Sequence, residues 1–139
     1  MSVVGGGEVG YQYVVLRCMP RVDREEFVNI GVVLYSQAQE FLGSDGVVDE
    51  ARLRALWPEV DVEAVRSALA TVAAVCAGEE SGGRPARAPR SARFGFLAAP
   101  RSTVVQPGPV HGGVIVQQPD GDGPTPVDVL DDLLDRFVR

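Results

Sequence analysis

Apolar residues alternate with polar or smaller ones within 11–18 and 28–35, then recur every three to four positions over 49–77 and again over 126–138. The first pattern predicts strands and the second predicts helices. Residues 11–18, rich in aromatic and β-branched side chains, form the first expected strand. Period two puts Tyr11, Tyr13, Val15 and Arg17 on one face and Gln12, Val14, Leu16 and Cys18 on the other. Met19-Pro20 stops it. Asp23 stands three residues before Glu26, the spacing of a capping box, which predicts a helical turn over 24–27. A second strand over 28–35 follows at once. Val28, Ile30, Val32 and Leu34 make an apolar face suited to helices, with Asn29, Gly31, Val33 and Tyr35 opposite. Glycine weakens a strand by about 0.5–1 kcal/mol. Gly31 therefore predicts a bulge or the close approach of another backbone, with a shallow polar dip beside it from Asn29. A third strand is expected over 37–42, and Ser44-Asp45-Gly46 as a turn.

In the helical part, Asp49 caps a helix with Leu53, Leu56 and Trp57 on one side, and Pro58 ends it. Asp61 caps a second, with Val62, Val65, Leu69, Val72 and Cys76 at helical spacing and Gly78 after its end. Over 78–93 the composition shifts to an Arg/Pro-rich loop, where Arg84, Arg87, Arg90 and Arg93 recur every third residue. In a polyproline II conformation they would share one edge. Phe94-Gly95-Phe96-Leu97 returns to the core. Residues 103–105 read as a short strand and 114–116 as an edge strand. Thr125, Pro126 and Asp128 open a last helix with Val127, Leu130, Leu134, Phe137 and Val138 as its stripe. The sum is a flexible N-terminus at 1–10 and one α+β domain over 11–139. Its antiparallel sheet has three to five strands, with about three helices (49–57, 61–77 and 126–138) packed mainly on one face.

Composition narrows the function. With 45% apolar and 23% charged residues the chain is of the globular, folded class. A net charge of −6 argues against general attraction to nucleic acid or anionic membrane. Residues 84–101 hold five arginines and no acid, so an arginine strip is the one nucleic-acid candidate. The blander reading is an exposed loop offsetting the acidic C-terminal part. No run approaches the roughly 20 apolar residues of a membrane span, and the expectation is a cytoplasmic protein of bacterial type. Cys18 and Cys76 are too far apart for a metal pair and read as buried thiols. Neither cofactor nor metal is expected.

Several motifs fail on context. Gly5-x-Gly7-x-x-Gly10 matches the dinucleotide fingerprint but precedes a strand, whereas that motif opens a helix. Residues 119–123 lack the remaining ligands of a calcium loop. A Ser102–His111 nucleophile and base pair has no strand-turn-helix elbow. On a helical turn Glu25 and Glu26 would diverge by about 100°, a poor acid–base pair. Catalysis is thus disfavoured. What remains is two polar stretches. If the sheet brings them together, Arg17, Arg24, Asn29, Arg101, Ser102, Thr103, Gln106 and His111 would line a pocket beside Gly31 suited to phosphate or carboxylate. The alternative is local pairing: Arg24 and Arg101 with Glu25, Glu26 or helix ends, Asn29 with backbone, Ser102 and Thr103 in a turn.

Tyr11-x-Tyr13-Val14-Val15-Leu16-Arg17, Pro20, Arg24-x-Glu26-Phe27-Val28-Asn29-Ile30-Gly31-Val32-Val33, Pro100-Arg101-Ser102-Thr103, Gln106-Pro107 and Val110-His111-x-Gly113 together resemble an uncharacterised bacterial family, domain of unknown function 3037. The likeness runs from Tyr11 to Val138 and is most specific at Glu26 to Val32. The family brings no activity and no catalytic residues. An association of its members with HipA-like serine/threonine kinases in operons implies an accessory protein that contacts a protein partner. The other readings are a sensor or enzyme for a phosphorylated small ligand or nucleotide, and a nucleic-acid contact through the arginine strip.

Overall fold

In the computed structural model, which describes residues 7–101, 103–118, 121 and 123–139, the α+β fold expected from the sequence is present. Five strands form one antiparallel sheet: β1 (Gly7–Cys18), β2 (Val28–Ser36), β3 (Phe41–Gly46), β4 (Val105–Pro107) and β5 (His111–Gln117). The order is β3-β2-β1-β4, and β5 also pairs with β1. One edge of β1 serves β2, and the other serves β4 at residues 16–18 and β5 at residues 7–13. β1 therefore begins at Gly7 rather than Tyr11. Four helices, α1 (Glu50–Leu56), α2 (Val62–Ala77), α3 (Arg90–Ala98) and α4 (Pro126–Phe137), complete the fold.

The pairing of β1 with β2 slips between Leu16 and Arg17: Leu16 faces Gly31, whereas Arg17 faces Asn29. Ile30 is the extra residue of a β-bulge, and it reverses the alternation along β2. Ile30 and Val33 enter one apolar cluster with Val14, Leu16, Cys18, Leu53, Val65 and Phe94, while Val32 and Leu34 enter another. The uniform apolar face expected for Val28, Ile30, Val32 and Leu34 is thus corrected. So is the shared face of Asn29 and Gly31, which the bulge puts on opposite sides. Gly31 is needed for close approach: a Cβ there would lie 2.9 Å from the Asp45 carbonyl oxygen on β3.

Helices cover both faces. α1, α2 and α3 pack on the Ile30–Val33 cluster, and α4 packs on the other through Leu130, Leu133, Leu134 and Val138. Most of the helices thus share one face as expected, and 126–138 is the exception. Its stripe shifts too, because Leu133 is buried and Val127 is 62% exposed. The caps fall where expected. Asp49 accepts from the Arg52 amide at 3.1 Å and Asp61 from the Ala64 amide at 3.0 Å, and Gly78 ends α2 with φ +72. Three local expectations fail. Residues 22–24 form a 3-10 turn in which Asp23 pairs with Arg21 and Arg24 with Glu26, so no capping box forms. Residues 37–40 turn, and β3 runs through the supposed turn at 44–46. The 78–93 segment is not extended: two 3-10 turns lead into α3.

Candidate functional site

The face of β1 that carries Tyr13, Val15 and Arg17 also carries the register partners of its polar end. Arg17 sits opposite Asn29 on β2 and Gln106 on β4, and Tyr13 opposite both Leu34 and His111. α4 crosses this face, and its last turn brings Phe137 to 6.1 Å from the Tyr13 ring. Asn29 Nδ2 donates to the Phe137 carbonyl at 3.0 Å, fixing that helix end to β2. The His111 ring lies 5.4 Å from the Tyr13 ring. The loop after β4 closes the rim, with the Gly108 amide donating to the Val15 carbonyl at 2.8 Å. All of these residues but Leu34 and Gln106, together with Phe27 and Pro109, line a cleft of about 310 Å³. Among the described residues no carboxylate lines it. Arg52 borders an adjoining hollow that shares Phe27, Asn29 and Phe137, and its Nη1 donates to the Val138 carbonyl at 2.8 Å.

Arg17, Asn29 and His111 are therefore brought together, and the remaining candidates are not. Gly31 faces the opposite cluster. Arg24 lies beside Trp57 and pairs with Glu26. Arg101 donates to the Phe96 and Ala99 carbonyls at the end of α3 and lies 4.9 Å over the Phe96 ring. Thr103 Oγ1 donates to the Val105 carbonyl at 2.7 Å, and Gln106 Nε2 to the Thr103 carbonyl at 2.8 Å. Ser102 lies outside the described residues. For Arg24, Arg101 and Thr103 the local-pairing alternative describes the geometry, and Asn29, although it lines the cleft, also satisfies a backbone carbonyl as that alternative had it. Tyr13, Phe27, Gly108, Phe137 and Arg52 were not expected at a site. Phe27 had a signal, being next to the Val28-Asn29 motif, whereas Phe137 reads only as helix stripe.

The second concavity is apolar and lies on the other side of the sheet. Ala64, Ala68 and Thr71 follow one line of α2, an i, i+4, i+7 spacing that leaves a channel where larger side chains would stand. Val72 and Val75 make its floor, and Phe96, Leu97, Val104 and Val105 its far wall. The Met19 amide holds that wall by donating to the Val104 carbonyl at 2.7 Å. The groove measures about 360 Å³. Phe96 is 43% exposed and Val104 40%.

The arginine strip does not form a single edge. Arg93 turns inward and donates to the Val75 and Cys76 carbonyls at 3.0 and 2.8 Å, capping the C-terminal end of α2. Arg84, Arg87 and Arg90 remain exposed. Gly7 and Gly10 lie within β1, so the glycine-rich fingerprint has no helix to open. Among the described residues no group of three or more His, Cys, Asp or Glu side chains is placed to hold a metal ion, and no helix is long and apolar enough to cross a membrane.

Compared with known families, the chain matches, over residues 13–138, the one described as "Protein of unknown function (DUF3037)". Neither the curated proteins nor the solved structures include a match to it.

Proposed function

The chain belongs to the DUF3037 family, and from that premise we propose that it is an accessory protein that receives an apolar segment of a partner polypeptide in the groove along α2. The observation that carries this reading is the groove's surface: a continuous apolar wall and floor, with Phe96 and Val104 left open to solvent beside it. Leaving such side chains uncovered costs about 25 cal/mol per Å² of apolar area, and contiguous patches of this kind mark interaction surfaces. The line of Ala64, Ala68 and Thr71 lets a second backbone approach α2 closely, as an amphipathic helix laid in a groove requires. Arg101 and Thr103 on the rim supply polar contacts outside the apolar floor.

The test is recovery of a stoichiometric partner with the tagged chain from its source cells, repeated with Phe96→Asp. A HipA-like kinase is the first partner to titrate directly. Because Phe96 is 43% exposed and covered in part by Arg101, Phe96→Asp should lower the melting temperature only modestly and leave the fold intact. It should weaken the complex by about 2 kcal/mol or more, roughly thirtyfold in Kd, as expected for a central aromatic anchor. Recovery of the lone chain, or a complex indifferent to Phe96→Asp, overturns the reading.

A further inference from the structure

We propose that the cleft around Arg17 binds a small ligand in which an oxyanion, carboxylate or phosphate, is carried on a planar ring. The inference starts from the arginines. Arg21, Arg24, Arg54, Arg66, Arg136 and Arg139 pair with carboxylates. Arg52, Arg93 and Arg101 donate to backbone carbonyls, and Arg84, Arg87 and Arg90 are exposed. Arg93 also leaves a buried Nε without a partner, but its Nη1 is engaged by two carbonyls. Arg17 has neither an ion pair nor a hydrogen bond among the described residues. It is half-buried, and its Nε is buried with no hydrogen-bond partner among the described residues. Desolvating a donor of a charged group without an acceptor is costly, and a bidentate oxyanion is the acceptor that a guanidinium fork fits best.

The surroundings hold that fork without consuming it. The Phe27 ring lies 4.2 Å from Arg17 Cζ. A cation–π contact engages the flat face of the guanidinium and leaves its in-plane N–H groups unused. Gly108 lies against the group: a Cβ there would come within 3.1 Å of Cζ and 3.2 Å of Nε and Nη2. Among the described residues no Asp or Glu lines the cleft or the hollow next to it, in a chain of net charge −6. An acid-free, arginine-bearing cleft on an acidic protein attracts anions locally while the whole molecule repels them. The ring preference follows from the walls, where Tyr13, Phe27, His111 and Phe137 present aromatic surface around a space of about 310 Å³. That space suits one ring and its anionic group.

The test is titration of the whole chain with phenyl phosphate, benzoate and inorganic phosphate, followed by calorimetry and thermal shift. Phenyl phosphate or benzoate should bind more tightly than inorganic phosphate, and the stronger of the two identifies the oxyanion. Arg17→Met should weaken that ligand by about tenfold to a hundredfold, while the unliganded melting temperature stays level or rises because an unmet donor has been removed. Gly108→Ala, which keeps the arginine but crowds its edge, should raise Kd with the fold intact. Phe96→Asp should leave the ligand's Kd unchanged, so the cleft and the groove fail or succeed separately. The proposal is overturned if none of the three compounds binds in the millimolar range. It is equally overturned if Arg17→Met lowers the unliganded melting temperature and leaves binding as it was, since the guanidinium would then be a structural brace on Phe27.

Discussion

Cys18 on β1 and Cys76 on α2 belong to the same apolar cluster, and burial pushes each thiol from an ordinary 9.0 up to about 11. At Cys76 a hydrogen bond with Ser44 and the charge of Arg93 pull weakly the other way. Because the folded-state value lies above the unfolded one, the thiols' contribution to stability is fully present below about pH 9. It is lost as pH rises through about 11, where unfolding would release protons. Each shift is worth on the order of 1–3 kcal/mol across that window. The urea midpoint should therefore fall between pH 9 and 11, and fall less steeply in a Cys18→Ala, Cys76→Ala double variant. That variant carries a constant cavity cost but no titrating thiol. A thiol reagent at pH 8 should modify neither cysteine until denaturant is added, and rapid native-state labelling would contradict the burial.

At the scale of elements, α4 shows how much a short capping pattern can carry. Thr125 Oγ1 accepts from the Asp128 amide at 3.2 Å, and Asp128 Oδ2 accepts from the Thr125 amide at 2.8 Å. Hydrogen bonds from the Thr125 backbone and then its side chain hold the Asp128 carboxyl below its ordinary range, so this cap persists above the usual carboxylate titration and is lost only in stronger acid. Thr125→Ala should cost about 1 kcal/mol and speed hydrogen exchange in the first turn of α4 before any change in α2. Equal acceleration in both helices would mean that the cap is not local. Such caps, at Asp49, Asp61 and Thr125, were legible because they need only residues within one turn. α3 was not: Arg90, Ser91 and Gly95 give no apolar repeat, and the helix follows from Phe94 and Leu97 packing on the sheet. The bulge at Ile30 was only half legible. Gly31 announced an irregularity, but a β-branched residue beside it does not say which way the alternation will slip.

Over the whole molecule, the sheet sorts the polar candidates by side, and that sorting explains which part of the site the sequence could reach. Arg17, Asn29 and His111 meet because cross-strand register joins them on the face that α4 covers. Arg101 and Thr103 lie before β4, where the chain still runs beside α2, and side-chain period says nothing about which side of a sheet a connection takes. The same two-sidedness governs stability. Leu53 on α1 and Leu134 on α4 are both fully buried, in clusters separated by the sheet. Truncating either to alanine should cost about 2–5 kcal/mol out of a total of about 5–15 kcal/mol for a domain. The two side chains belong to different clusters, so the double variant should lose their sum to within about 0.5 kcal/mol. Both clusters nonetheless rest on β2, which contributes Ile30 and Val33 to one and Val32 and Leu34 to the other. Losing either layer exposes a strand the other needs, so the two faces should unfold together. Trp57, which packs on the Leu53 side, reports one layer by fluorescence, and hydrogen exchange of the α4 amides reports the other. In Leu134→Ala both should move to the same lower urea midpoint; an α4 that opens while Trp57 holds its native signal would show two layers of independent stability rather than one cooperative domain.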